Sequence, residues 1–247
     1  MEKNFTSLKV VLVEPNGPIN VGSIARLCAN FEVDELRIVS PKCDVFSLES
    51  KKMALKGQTF IKKYNIFDKL EHAIDDCDLV IGTCGRPDPI KNKEFESPKD
   101  ISKWISSYRG INNLAIIFGR EDRGLTNREL LFAHKVFNIP TSKKFPSLNI
   151  SHAVSIILYE LNRFPTENTK KELKDYDLAS SKQIKESFLE IEELLLMTGY
   201  LMKHTSFAKI SKFRKYFIKA KTTSNEINIL RGIIHQINWY LNNLKAN

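Results

Sequence analysis

Five uninterrupted apolar, β-rich runs, each leading through a polar loop toward a helix-like stretch, decide most of what this chain can fold into. The runs are Lys9–Glu14, Leu36–Ser40, Asp78–Thr83, Leu114–Gly119 and Val136–Pro140, with a shorter one near Tyr64–Phe67. They do not alternate apolar with polar residues, so both faces of each strand must be covered. Between them lie the helical stretches Asn20–Phe31, Asp68–Cys77, Asp100–Tyr108 and Thr126–His134. Strands and helices in alternation predict an α/β domain with a parallel sheet flanked by helices.

The pattern continues into an amphipathic helix over Asn149–Phe164, with Ala153, Ile156, Ile157, Tyr159 and Leu161 mostly to one side, stopped by Pro165. A polar, charged stretch over 165–181 reads as a linker. Beyond it only helices are predicted, about Ser181–Met202, Phe207–Ala220 and Ser224–Leu244. The expected organisation is a domain over 1–164, the linker, and a helical C-terminal domain over 182–247. Thr126 with Glu129 three residues later forms a capping-box signature, and Ser224 reads as the N-cap of the last helix, with Glu226 in its first turn.

Composition excludes several classes. No apolar run approaches the roughly 18 residues that span a bilayer, and the N-terminus lacks the shape of a signal peptide, so a cytoplasmic protein with no membrane partner is expected. The four cysteines, Cys28, Cys43, Cys77 and Cys84, form no pair at zinc-ligand spacing, and neither metal nor disulfide is expected. A formal net charge of +9 suits a polyanionic partner such as nucleic acid, though solubility alone would use it too.

Two common nucleotide folds are disfavoured. The first strand runs into Glu14-Pro15-Asn16-Gly17-Pro18 instead of a GxGxxG turn, and no P-loop sequence occurs. The chemistry-bearing residues fall in three other clusters. Asn20, Gly22, Ser23 and Arg26 open the first helix; Gly22 is costly in a helix unless close backbone approach requires it, and Arg26 points off the face formed by Val21, Ile24, Cys28 and Phe31. Phe118 to Thr126 takes a buried strand through Gly119, four charged residues and Gly124 into a capped helix. Ile139 to Ser151 leads from another strand into the long helix. Each alone would serve as an ordinary helix start. Together they sit at strand ends, where open α/β sheets bind ligands.

These clusters resemble the motifs of SpoU-type RNA methyltransferases of the SPOUT class: Asn20-x-Gly22-Ser23-x-x-Arg26, Phe118-Gly119-x-Glu121-x-x-Gly124 and Ser147-Leu148-Asn149-Ile150-Ser151, in that order. Leu12–Pro15, Ile81–Thr83 with Arg86, Phe118–Leu130 and Asn225–Ile237 narrow the likeness to the TrmJ branch, over essentially the whole chain. The resemblance implies a trefoil knot in the C-terminal part of the α/β domain and a homodimer with its active site at the interface. It also implies transfer of a methyl group from S-adenosylmethionine, leaving S-adenosylhomocysteine, to a ribose 2′-hydroxyl of tRNA. The implied target is a cytidine or uridine at position 32 of the anticodon loop. Alternatives are another RNA, such as rRNA, or a knotted RNA-binding protein without catalysis.

By the same resemblance, Arg26 and Ser147 match catalytic positions, with Asn20, Glu121 and Asn149 shaping the pocket. The methyl donor is expected to touch Thr83, Cys84, Gly85, Gly119, Ile139, Pro146, Ser147, Leu148 and Asn149. Arg86 is placed to meet RNA. The chain departs from the branch at Thr83-Cys84-Gly85-Arg86 and at Pro146, where backbone contacts are expected to carry binding. RNA grip is expected from Lys143 and Lys144 and from the basic tail, including Lys212, Arg214 and Lys215; no acid lies between Glu193 and Glu226. Phe207, Phe213, Tyr216 and Phe217 read as the core face of the tail.

Overall fold

A computed structural model describes residues 5–85, 97–108, 111–142, 144–163, 177–220 and 222–244, less the side chains of 181, 207, 208, 211, 212, 215, 218, 219 and 244. The chain divides into two compact units, Met1–Asp175 and Tyr176–Asn247.

The first unit is built on six parallel strands: β1 (Phe5–Val13), β2 (Glu35–Val39), β3 (Ile66–Phe67), β4 (Leu79–Cys84), β5 (Ile111–Phe118) and β6 (Lys135–Asn138). Their order across the sheet is β3-β2-β1-β5-β4-β6. The strands are continuously apolar because both faces are covered. Val11, Val13, Val39, Val80, Ala115, Ile117 and Val136 form one buried cluster with Leu70, Ala73, Ile74, Leu130 and Phe132. The alternate residues Val10, Leu12, Ile38, Ile81 and Ile116, equally buried, point to the opposite face.

The helices of this unit are α1 (Pro18–Asn30), α2 (Leu48–Ala54), α3 (Leu70–Ala73), α4 (Ile101–Ser106), α5 (Asn127–Leu130) and α6 (Ile150–Arg163). Helix α1 packs on α2 and α6, and α6 on α4. Gly22 lies at the first of these contacts: a Cβ there would come within 2.2 Å of the Ser50 carbonyl oxygen and 2.8 Å of the Met53 Cβ. Its small size therefore serves helix packing.

Several elements differ from expectation. The stretch from 68 to 77 holds only the one-turn α3, and the helix expected over 126–134 is the single turn α5. Helix α2 and the 3-10 turn after it, Leu55–Phe60, carry no apolar period, since Leu48, Met53 and Leu55 are exposed. In α6 the buried apolar residues are Ile150, Val154, Ile157 and Leu158, while Tyr159 is exposed. The Thr126–Glu129 capping box is present, with both of its hydrogen bonds.

The second unit comprises α7 (Ser181–Met197), α8 (Lys203–Lys219) and α9 (Ser224–Leu244) around Ile184, Phe188, Ile191, Leu194, Ile210, Ile227 and Ile234. Ser180 and Gln183 form the capping box of α7. The cap of α9 is Thr223 and not Ser224: Thr223 Oγ1 accepts from the Glu226 amide at 3.3 Å, and the Glu226 carboxylate accepts from the Thr223 amide at 2.8 Å. Phe188, Phe213 and Phe217 meet edge to face with ring centroids 5.2–5.6 Å apart; of the tail aromatics Phe217 packs against the core, while Phe213 and Tyr216 are exposed.

Candidate active site

Beyond the carboxyl ends of β4, β5 and β6, three adjacent strands, lies a cavity of about 370 Å³. Each strand supplies one loop. From β4 come Thr83, Cys84 and Gly85; from β5, Phe118 to Gly124; from β6, Phe137, Ile139, Thr141, Pro146, Ser147 and Leu148, followed by Ile150 and Ala153 of α6. The volume lies in the roughly 300–1,000 Å³ range of small-molecule sites.

Hydrogen bonds hold each loop in place. Thr83 Oγ1 donates to the Ile117 carbonyl at 2.9 Å, tying β4 to β5. Asn138 Nδ2 donates to the Cys84 carbonyl at 2.7 Å, and Thr141 Oγ1 to the Pro146 carbonyl at 2.8 Å. The middle loop closes on itself: the Gly124 amide donates to the Arg120 carbonyl at 2.9 Å, with Gly124 at φ 67°. A Cβ on Gly119 would lie 2.1 Å from the Gly124 carbonyl carbon, so only glycine permits this closure.

The charges of the middle loop have separate tasks. Arg120 Nε donates to Glu14 at 2.7 Å, and its two terminal nitrogens donate to both Glu129 oxygens at 2.9 and 3.0 Å. The bond from Arg120 draws the Glu14 carboxyl below the usual carboxylate range. Burial opposes ionisation of Glu129, yet the Arg120 and Thr126 hydrogen bonds outweigh it and hold that carboxyl low too.

Glu121 turns the other way, to α1. It accepts from the backbone amides of Asn16 (3.0 Å) and Gly17 (3.1 Å) and from Asn20 Nδ2 (3.2 Å). Gly17 is the N-cap of α1 and has no side chain to satisfy the helix, so Glu121 supplies the anion its N-terminus favours. Asn149 Nδ2 in turn donates to Asn20 Oδ1 at 3.1 Å, while its own oxygen caps α6 through the Ser151 amide at 2.8 Å.

The structure thus brings Thr83, Cys84, Gly85, Gly119, Glu121, Ile139, Pro146, Ser147 and Leu148 to one cavity. Asn149 is outside the lining and acts as a strut and helix cap. Arg26 is exposed on α1, is not among the residues that line the cavity, and pairs with no side chain among the described residues. Lys144 is exposed within the third loop. Arg86, Lys143 and the side chains of Lys212 and Lys215 lie outside the described residues, and Arg214 is half-buried on α8. Sequence reasoning missed Phe118, Phe137, Thr141, Ile150 and Ala153 as cavity wall. Phe118 and Phe137 stand at strand ends, which was the available signal; Thr141, Ile150 and Ala153 lie in the third loop and the first turn of α6.

Fold and cavity together define an α/β protein with a cavity of small-molecule size beyond the carboxyl ends of a parallel sheet. Residues 7–159 match the SpoU rRNA Methylase family, and the chain belongs to that family. Over 236 residues it is 34% identical to the tRNA (cytidine-2'-O-)-methyltransferase TrmJ of Sulfolobus acidocaldarius, covering 89% of this chain and 97% of that one. Among solved structures, a probable methylase family protein from Haemophilus influenzae Rd KW20 superposes with a TM-score of 0.59 at 31% identity, over 98% of this chain and 99% of that one. TrmJ from Z. mobilis ZM4 shares the fold with a TM-score of 0.80 at 23% identity, over 94% of this chain and all of that one.

Proposed function

We propose that the chain transfers a methyl group from S-adenosylmethionine to a ribose 2′-hydroxyl of tRNA, at the cytidine or uridine of position 32 in the anticodon loop. In this reading it works in the cytoplasm as a homodimer, with the chain around the third loop tied in a trefoil knot. The observation that carries the reading is the convergence of three motif loops on one cavity, with α1 strapped to it through Glu121, Asn20 and Asn149. The relative in S. acidocaldarius, named a tRNA 2′-O-methyltransferase and matched over nearly its whole length, supports the substrate class.

The residues fit the donor. Phe118, Phe137, Ile139, Leu148 and Ile150 give apolar walls for an adenine, and the peptide groups of three loops give partners for its polar edge. Gly85, with no side chain, leaves room at its edge of the cavity: beyond its chain neighbours no atom of the described residues lies within 4 Å of where a Cβ would sit, and Asp122 offers a carboxylate to a cationic ligand. S-adenosylmethionine, when bound, supplies an electrophilic methyl on a sulfonium, and no metal is needed.

The ribose hydroxyl is a poor nucleophile, and negative charge grows on its oxygen as it attacks. Arg26 answers that charge. A guanidinium holds its proton in proteins, so Arg26 acts by electrostatic stabilisation, and the hydroxyl proton leaves to a substrate phosphate or to solvent. Its position outside the cavity lining of its own chain supports a site completed by a second copy. Ser147 orients the reacting groups from the third loop, and Glu121 with Asn20 holds the helix bearing Arg26. Arg86, Lys143, Lys144, Lys212, Arg214 and Lys215 serve the phosphate backbone, contacts that position more than they specify.

The test is transfer of labelled methyl to unmodified tRNA, followed by alkaline digestion, in wild type and Arg26→Ala. Label in an alkali-resistant dinucleotide, lost in the variant, is the expected result. No transfer to tRNA, with donor binding intact, would move the substrate to another RNA.

A further inference from the structure

Phe145 is 76% exposed, the most open of the large apolar side chains of the described residues. Leaving such a ring in water forfeits the stabilisation its burial would bring. Nor is its loop loose. The Phe145 amide donates to the Ser142 carbonyl at 3.1 Å, and the Lys144 amide to Ser142 Oγ at 3.2 Å. The Thr141–Pro146 hydrogen bond closes the turn around them, and Pro146 restricts the backbone of Phe145 further. The ring is therefore presented from a fixed turn.

That turn stands at the cavity. Thr141, Pro146 and Ser147, on either side of Phe145 in the chain, all line it. The chain neighbours of Phe145 are polar or small and are themselves exposed, among them Ser142, Lys144 and Ser147, so the ring does not belong to an apolar run of the kind that buries against another protein. A single aromatic face beside a lysine, on the rim of a site, is instead the arrangement that stacks an unpaired base while the cation meets a phosphate.

We infer that Phe145 is the stacking platform for an unpaired base of the RNA substrate, next to the ribose that receives the methyl group, with Lys144 on the adjoining phosphate. This rests on the RNA methyl-transfer reading and deepens it. A base inside a duplex has both faces covered by its neighbours, so the platform selects a nucleotide in a single-stranded loop. Because every base has a π face, it does so without choosing the base.

The test uses an anticodon stem-loop RNA carrying 2-aminopurine at successive loop positions, with the full-length protein as wild type, Phe145→Ala, Phe145→Leu and Phe145→Trp. Stacking quenches 2-aminopurine fluorescence. Expected are quenching at one loop position by wild type and Phe145→Trp, its loss in the alanine and leucine variants, and a rise of at least about tenfold in KM for RNA in those two with kcat little changed. Binding of S-adenosylmethionine stays the same in all four. Quenching that survives in Phe145→Leu, or is absent in wild type, overturns the platform. Absence of methyl transfer by wild type counts against the catalytic reading instead, because quenching is read without turnover.

Discussion

Asn20 and Asn149 are hydrogen-bonded across 129 residues of sequence, Nδ2 of the second donating to Oδ1 of the first at 3.1 Å. Asn20 passes the link on to Glu121, so the three clusters are one hydrogen-bonded assembly in which α1, the middle loop and the start of α6 hold fixed positions. In the proposed mechanism Arg26, on α1, depends on that assembly for its aim.

Asn20→Asp keeps the shape of the side chain but removes the amide that Glu121 accepts and sets two carboxylates face to face. Methyl transfer, measured as kcat/KM, is predicted to fall at least about tenfold, or about 1.4 kcal/mol of transition-state stabilisation. Unchanged kcat/KM would show that the strap does not aim α1.

Arg120→Ala takes from the half-buried Glu129 both of its Arg120 bonds and leaves Glu14 facing the exposed Arg123 guanidinium at 3.7 Å. Removing one partner of such a cluster costs about 3 kcal/mol, and thermal denaturation is predicted to show it. Arg120→Lys is expected to recover little, because an ammonium cannot bridge both Glu129 oxygens while reaching Glu14.

Gly22→Ala sets helix propensity against packing. Alanine favours the helix by about 1 kcal/mol, but its Cβ would press on the Ser50 carbonyl oxygen, and overpacking of that kind costs about 1–3 kcal/mol. The clash is with backbone, so packing is predicted to win, lowering Tm by several degrees. A raised Tm would mean that α2 moves away freely.

Lys9 and Arg37, both nearly buried, share Asp76 as counterion. Burial disfavours the Asp76 carboxylate, but hydrogen bonds from Arg37 and Lys9 outweigh this and hold the carboxyl well below the usual range. A carboxyl lowered on folding contributes stability that is complete above its unfolded value near 3.9 and is lost as pH falls below it toward the folded value. Denaturant midpoints are therefore predicted to drop below about pH 4 in wild type. Asp76→Asn should be less stable at pH 7, by about 3 kcal/mol or less given its half-exposed side chain, with a flatter acid limb.

Much of this fold was legible because β1, β4 and β5 are buried on both faces and their apolar runs say so. Helix α2 was not, because Leu48, Glu49, Lys51 and Lys52 face solvent and leave no period to read. At α9 the adjacent hydroxyls of Thr223 and Ser224 both suit a cap; the three-residue spacing from Thr223 to Glu226 selects the first. At the site, glycines and charges at strand ends marked the loops. The division of labour between Arg120, which closes the middle loop, and Glu121, which holds α1, depends on partners about 100 residues away. No local pattern carries that.

The central claim, that the cavity beyond β4, β5 and β6 holds the methyl donor, is tested most directly by calorimetric titration of S-adenosylmethionine into wild type and Gly85→Leu. Gly85 lines the cavity, and among the described residues beyond its chain neighbours no atom lies within 4 Å of where its Cβ would sit, so leucine there adds bulk to the cavity wall. The account predicts saturable binding by wild type and its loss in Gly85→Leu at unchanged Tm. Equal binding by both would place the donor elsewhere, and absence of binding by wild type would contradict the assignment of the cavity.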